Sequence, residues 1–306
     1  MGELGRTSVP PPTPFRELAA RLRSDRVHGA REIALAVLNG LDAEVSSWAG
    51  RTPAERRRGS RQVAQELDRI QPAMGTLREW ARAWQAMSTG PVGATDRSRL
   101  RRWIARRRRR LRDEPVAIAG VVRRRLPRRA RVLTISRGST VGAALRSLPT
   151  ASRPLEVTVL ESLPGGEGRR FAAELQRAGV PSRWVPDRAR TAAVAASSLV
   201  LIGADSVEAD GAVIHKIGTR RLAAEAALQG VPVIVVAGGS KWLRAAPRLR
   251  RLPSLFDRTP PELISEWWTD RGARRAGRGR TPAAKEMSRS GRETSRSASV
   301  RRGKRG

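Results

Sequence analysis

The chain has 306 residues, room for about two domains of roughly 100 to 200 residues each, and 39% of them are apolar, enough to bury a core. It contains no cysteine and two histidines, His28 and His215, which excludes disulfides, thiolate metal sites, iron–sulfur clusters and a Cys nucleophile; no metal site is expected. The formal net charge is +33 and is concentrated: residues 97–131 carry 16 basic and 2 acidic side chains, and residues 271–306 carry 13 and 2.

Residues 1–14 include Pro10, Pro11, Pro12 and Pro14, which lack the N–H and fix φ, so a disordered arm is expected. It has no apolar stretch of the kind that opens a secretion signal, and nowhere does an apolar run reach the roughly 18 residues of a membrane span. The expected location is cytoplasmic, with no membrane partner. From Phe15 the apolar residues recur at helical spacing: Leu18, Ala19 and Leu22, then Ile33, Ala36, Val37, Leu38 and Leu41 after the His28-Gly29 break, then stretches at 62–70, 75–87 and 98–112. A helical domain over 15–112 follows, with Trp48, Trp80, Trp84 and Trp103 at core spacing. In its last helix Leu100, Trp103, Ile104 and Leu111 share one side, and Arg101, Arg102 and Arg106 to Arg110 cover the rest. Such a face is either simply solvated or a surface for an acidic partner or RNA. With no Tyr and three Phe, sequence-specific binding of single strands lacks its usual stacking platforms.

After a further helix at 115–126 the pattern changes. Strands are expected at 132–136, 155–160, 182–185, 199–203 and 231–237, and helices at 140–148, 168–178, 189–197 and 219–229. Leu199 to Ile202 and Val233 to Val236 are continuously apolar, as strands buried on both faces must be. The fold class is α/β, a parallel sheet with covering helices over 113–270. A last helix is expected at 262–268, and 271–306 reads as a disordered basic tail able to hold polyanions.

Ligands of a parallel sheet sit beyond the carboxyl ends of its strands. The first strand runs into Ser136-Arg137-Gly138-Ser139-Thr140 at a helix start, where a cation, hydroxyls and free amides suit a phosphate; an ordinary cap after a glycine turn has the same look. The second ends Glu161-Ser162-Leu163-Pro164-Gly165-Gly166-Glu167-Gly168. Neither G-x-G-x-x-G nor G-x-x-x-x-G-K-[ST] occurs, so no cofactor is expected. The fourth strand ends Gly203-Ala204-Asp205, setting a carboxylate where a general acid or base, or an acceptor of sugar hydroxyls, would stand, although turn and cap residues look alike here. His215-Lys216-Ile217-Gly218-Thr219 is expected to open the next helix, with Lys216 supplying charge and the helix amides facing the crevice. The fifth strand delivers Gly238-Gly239-Ser240-Lys241. Four such ends on one sheet edge favour a pocket for a phosphorylated, hydroxylated small molecule.

The stretches Glu161 to Asp187 and Ser197 to Trp242, with their Gly-Ala-Asp and Lys-Ile-Gly-Thr elements, resemble the family of the regulatory alpha, beta and delta subunits of translation initiation factor 2B. That family includes methylthioribose-1-phosphate isomerase and ribose-1,5-bisphosphate isomerase. The resemblance is clearest over 131–242 and reaches weakly to the helices, where Gly29 is implied as a ligand contact. It implies a helical domain followed by a Rossmann-like domain, and homo-oligomers. In the isomerases a Cys after the first strand and the Asp of Gly-Ala-Asp perform the acid/base work. Asp205 matches that Asp; the Cys position falls at or near Ser136. A serine hydroxyl is too weak an acid to replace a thiol without an activating base, and neither histidine is placed by the sequence to help. His28, Leu163 and His215 stand where the family has Arg, Arg and Asn. The expectation is a binder of a phosphorylated sugar or nucleotide that is non-catalytic or altered. The alternatives are an aldose-ketose isomerase working through Asp205, and an RNA-associated basic protein.

Overall fold

Leu199–Ile202 and Val233–Val236 are buried along their whole length, and such strands are stable only where helices cover both faces of a sheet. The computed structural model, which describes residues 14–25, 27–88, 97–149, 154–243 and 252–275, has that arrangement in the second of two compact units divided after Asp113. The expected arm lies outside the described residues except Pro14, which opens the first helix.

The first unit holds α1 (Pro14–Ser24), α2 (Ala30–Ser46), α3 (Pro53–Ile70), α4 (Gly75–Ser88) and the first half of α5 (Arg97–Arg125). Trp48, Trp80, Trp84 and Trp103 are all buried and meet edge to face, with ring centroids 5.9 to 6.4 Å apart, a preferred aromatic geometry. Helix α3 starts nine residues before the apolar stretch at 62–70 because Thr52 and Glu55 form a reciprocal cap: the Thr52 side chain accepts from the Glu55 amide, and the Glu55 carboxylate accepts from the Thr52 amide at 2.7 Å. The two helices expected on either side of residue 113 are one continuous α5 with Pro115 inside it. Proline cannot donate to the carbonyl four residues back, and Arg31 does so in its place, Nε donating to the Leu111 carbonyl at 2.8 Å. On the basic face Arg101, Arg102, Arg106, Arg109 and Arg110 are exposed.

The second unit contains β1 (Ala130–Ile135), α6 (Ser139–Arg146), β2 (Leu155–Leu160), α7 (Glu167–Arg177), β3 (Ser182–Val185), α8 (Arg190–Ala195), β4 (Leu199–Ile202), β5 (Ser206–Val207), β6 (Val213–Lys216), α9 (Thr219–Leu228), β7 (Val233–Val236), β8 (Phe256–Thr259), β9 (Glu266–Thr269) and β10 (Gly272–Arg275). The main sheet runs β10-β9-β7-β4-β1-β2-β3; all pairs are parallel except β10 with β9. Alternate residues serve two cores. Val132, Leu201, Ile234 and Trp268 face α6, α7 and the end of α5, while Leu133, Val200, Val235 and Trp267 face α8 and α9.

That alternation corrects the helix expected at 262–268. Neighbouring residues of a strand point to opposite faces, so Trp267 and Trp268 are both buried, one in each core, and β9 pairs with β7 through Val235 and Val236. Only Pro261–Leu263 makes a helical turn. Residues 271–275, expected in the tail, belong to β10 and the turn before it; residues 276–306 lie outside the described residues. The segment His215-Lys216, expected to lead a helix, is the end of β6 in a small antiparallel sheet ordered β5-β6-β8. Among the described residues no helix is long and apolar enough to cross a membrane.

Candidate functional site

With the small sheet set aside, the parallel strands read third, second, first, fourth, fifth, sixth across the main sheet. This is the doubly wound order, and its switch point, where ligands bind at the carboxyl ends, lies between β1 and β4. The register Val132 with Leu199 and Leu133 with Val200, continued, brings Ser136 level with Gly203. Sequence order alone put these residues 67 apart.

Ser136 is buried and has φ 62°, and Ser162, just beyond β2, is buried with φ 64°. Left-handed backbone at a residue bearing a side chain costs on the order of 1–3 kcal/mol and concentrates at functional sites. The Ser162 hydroxyl has no hydrogen-bond partner among the described residues, while its amide and that of Leu163 donate to Asp187. Arg137 does not reach into the crevice as a free cation: its Nε donates to both carboxylate oxygens of Glu174 on α7, at 2.8 and 3.0 Å. Ser139 and Thr140 form the first turn of α6 after Gly138, whose residue supplies no side-chain cap.

Asp205 follows β4, partly exposed, with its amide donating to the Ile214 carbonyl at 2.9 Å. The Lys241 ammonium donates to the Ala204 carbonyl, and Lys216 pairs with Glu167 of α7 at 2.5 Å. His215 is buried. Its Nδ1 lies 3.1 Å from the Thr219 hydroxyl, and its Nε2 lies 3.5 Å from where a Cβ on Gly203 would stand. Burial holds its pKa below the ordinary imidazole value; Asp205 opposes that shift, Lys241 and Lys216 reinforce it, and Glu167 opposes it. His215, expected as a ligand contact but not as an activating base, thus stands among the strand ends. His28 and Gly29 belong to the helical unit, where exposed His28 pairs with Asp25 at 2.7 Å and the Gly29 amide donates to Glu32.

Carboxylates that the sequence did not single out occupy amides at two of the strand ends expected to hold a ligand. At the start of α9, where Gly218 adopts φ 95°, Asp257 of β8 accepts from the amides of Gly218 at 2.9 Å and Arg220. Burial pushes the Asp257 carboxyl up from its usual range. Beyond β7, Asp270 accepts from the Gly239 amide and Glu114 from the amide of Ser240, each at 2.7 Å. Among the described residues the start of α6, beside the switch point, has no side-chain cap, as is also the case for α7 and α8. No group of three His, Asp or Glu there could hold a metal ion.

Residues 26–251 match the model of the initiation factor 2 subunit family. The chain belongs to that family. A methylthioribose-1-phosphate isomerase of Gemmatimonas aurantiaca is 30% identical over 84% of each chain. The Pyrococcus horikoshii translation initiation factor eIF-2B superposes with a TM-score of 0.75 at 21% identity, covering 86% of this chain and 97% of that one. The tetrameric eIF2B-beta2-delta2 complex of Chaetomium thermophilum gives 0.71 at 20% identity, covering 85% and 90%. At these identities the two solved structures share the fold.

Proposed function

We propose that the crevice between β1 and β4 binds a phosphorylated sugar, with phosphate at the start of α6 and hydroxyls toward Asp205 and Lys216, and that any turnover is slow. One observation carries this reading. Among the described residues the first amides of α6, at the switch point, have no carboxylate acceptor, whereas those of Gly218 and Arg220 at α9 and of Gly239 and Ser240 beyond β7 each donate to one. A helix start with open amides attracts phosphate, and the relative at 30% identity is named for a sugar 1-phosphate. Ser136 supports slow turnover, because an unactivated hydroxyl is a poor acid. Self-assembly is proposed alongside, supported by the oligomeric neighbour.

A second reading, aldose-ketose isomerisation at an appreciable rate, is favoured by His215 lying beside Gly203 with Asp205 acting on its charge. Calorimetry with ribose-1,5-bisphosphate and methylthioribose-1-phosphate, paired with a ketose assay, tests both. Binding is expected, with turnover at least about 10²-fold below that of a thiol-bearing isomerase, the lower end of what one acid/base group supplies. Absence of binding by either sugar refutes the reading.

A further inference from the structure

The buried hydroxyl of Thr219 has one proton, and it is already committed: Oγ1 donates to the Lys216 carbonyl at 2.6 Å. Its oxygen can then only accept from His215, so the contact at 3.1 Å is a bond in which Nδ1–H donates to Oγ1. A neutral imidazole with its proton on Nδ1 has its lone pair on Nε2. That atom faces Gly203, whose missing side chain leaves room there, and among the described residues nothing donates to it. His215 is 7% exposed, so an imidazole acceptor without a partner stands at the end of β4, next to the one carboxylate of the Gly203-Ala204-Asp205 turn. Histidine also differs in kind from the asparagine that the family resemblance implies here, since an amide cannot take up a proton.

We infer that Nε2 of His215 is a general base in the crevice, taking the proton of a sugar hydroxyl of the bound ligand; this rests on the sugar-phosphate reading above. The step balances within the site. The O–H bond breaks with its electron pair left on the sugar oxygen, an N–H bond forms at Nε2, and the proton returns as product forms. Asp205 and Glu167 favour the imidazolium so produced, and Lys216 and Lys241 oppose it. The base explains how a chain without a thiol retains slow turnover.

Because the chain has only two histidines and His28 is exposed, ring-nitrogen NMR of the full-length protein reads this directly. The Nδ1–H tautomer is expected for His215 in the free protein, and a resonance showing Nε2–H overturns the inference without any ligand. With ribose-1,5-bisphosphate as probe, H215N is expected to bind within about threefold of wild type, because the amide still accepts a hydrogen bond, but to lose ketose formation by about 10²-fold or more. H215N turning over at the wild-type rate, or wild type that binds the probe and forms no ketose, overturns the base and leaves the binding reading standing. A probe that gives no heat of binding removes both.

Discussion

The proline inside α5 makes the helical unit depend on one arginine, and a double-mutant cycle measures how much. In the wild type the Leu111 carbonyl cannot receive an N–H from Pro115, and Arg31 Nε occupies it at 2.8 Å. Hydrogen bonds from charged donors contribute about 1.5–3 kcal/mol, and a buried acceptor left unpaired costs about 1–3 kcal/mol, so Arg31→Ala should destabilise by about 2 kcal/mol. Pro115→Ala restores the helical N–H and removes the ring, and should stabilise by up to about 3 kcal/mol. In that background the carbonyl is already satisfied, so Arg31→Ala should cost only about 0.5–1 kcal/mol, leaving a coupling of about 1 kcal/mol or more. Urea unfolding followed by tryptophan fluorescence is suitable because Trp48, Trp80, Trp84 and Trp103 are all buried in this unit. Equal costs of Arg31→Ala in the two backgrounds would refute the reasoning, since the arginine would then act independently of the proline.

Asp205→Asn should leave the melting temperature unchanged and weaken ribose-1,5-bisphosphate binding about tenfold or more, the loss of a charge-assisted acceptor; unchanged affinity by calorimetry would place the ligand elsewhere. His215 has a folded-state pKa below its unfolded value of about 6.5, so as pH falls below that value the unfolded state takes up a proton that the folded state refuses. Stability should therefore fall with pH by up to about 1.4 kcal/mol per unit until the lowered pKa is reached, being complete above pH 6.5. Melting curves of wild type and His215→Gln at pH 7.5 and 5.5 check this, with parallel slopes counting against it. Replacing the exposed Arg101, Arg102, Arg106, Arg109 and Arg110 of α5 by Ser should flatten the salt dependence of binding to an unstructured RNA, as counterion release requires. RNA affinity that is insensitive to salt, or unaffected by these changes, would remove polyanion binding by this face.

The strands β2 and β3 and the start of α9 fall at the expected residues; in β2 the cause is the alternation of buried Leu155, Val157 and Val159 with Glu156 and Thr158, a pattern that marks a half-buried strand. The start of α3 was equally present, in Thr52 and Glu55, but hydrophobic spacing is blind to a cap on a polar first turn. For the crevice, the sequence grouped the residues after each strand on one edge of the sheet, since parallel strands all end on one side.

Local pattern thus determined the two kinds of unit, the strand-helix alternation and the polar strand ends, all of which depend on residues a few positions apart. The tertiary structure decided which of those ends are open. Asp257 reaches Gly218 across 39 residues, Glu114 reaches Ser240 across 126, and Glu174 takes Arg137 across 37. It decided equally that β9 is a strand, because two adjacent tryptophans are buried only when a pleat sends them to opposite cores. It turned His215 from the head of a helix into a strand residue with its Nε2 toward Gly203. Each outcome is a pairing between distant groups, and a buried donor or acceptor is satisfied by whichever partner the fold brings within hydrogen-bond distance.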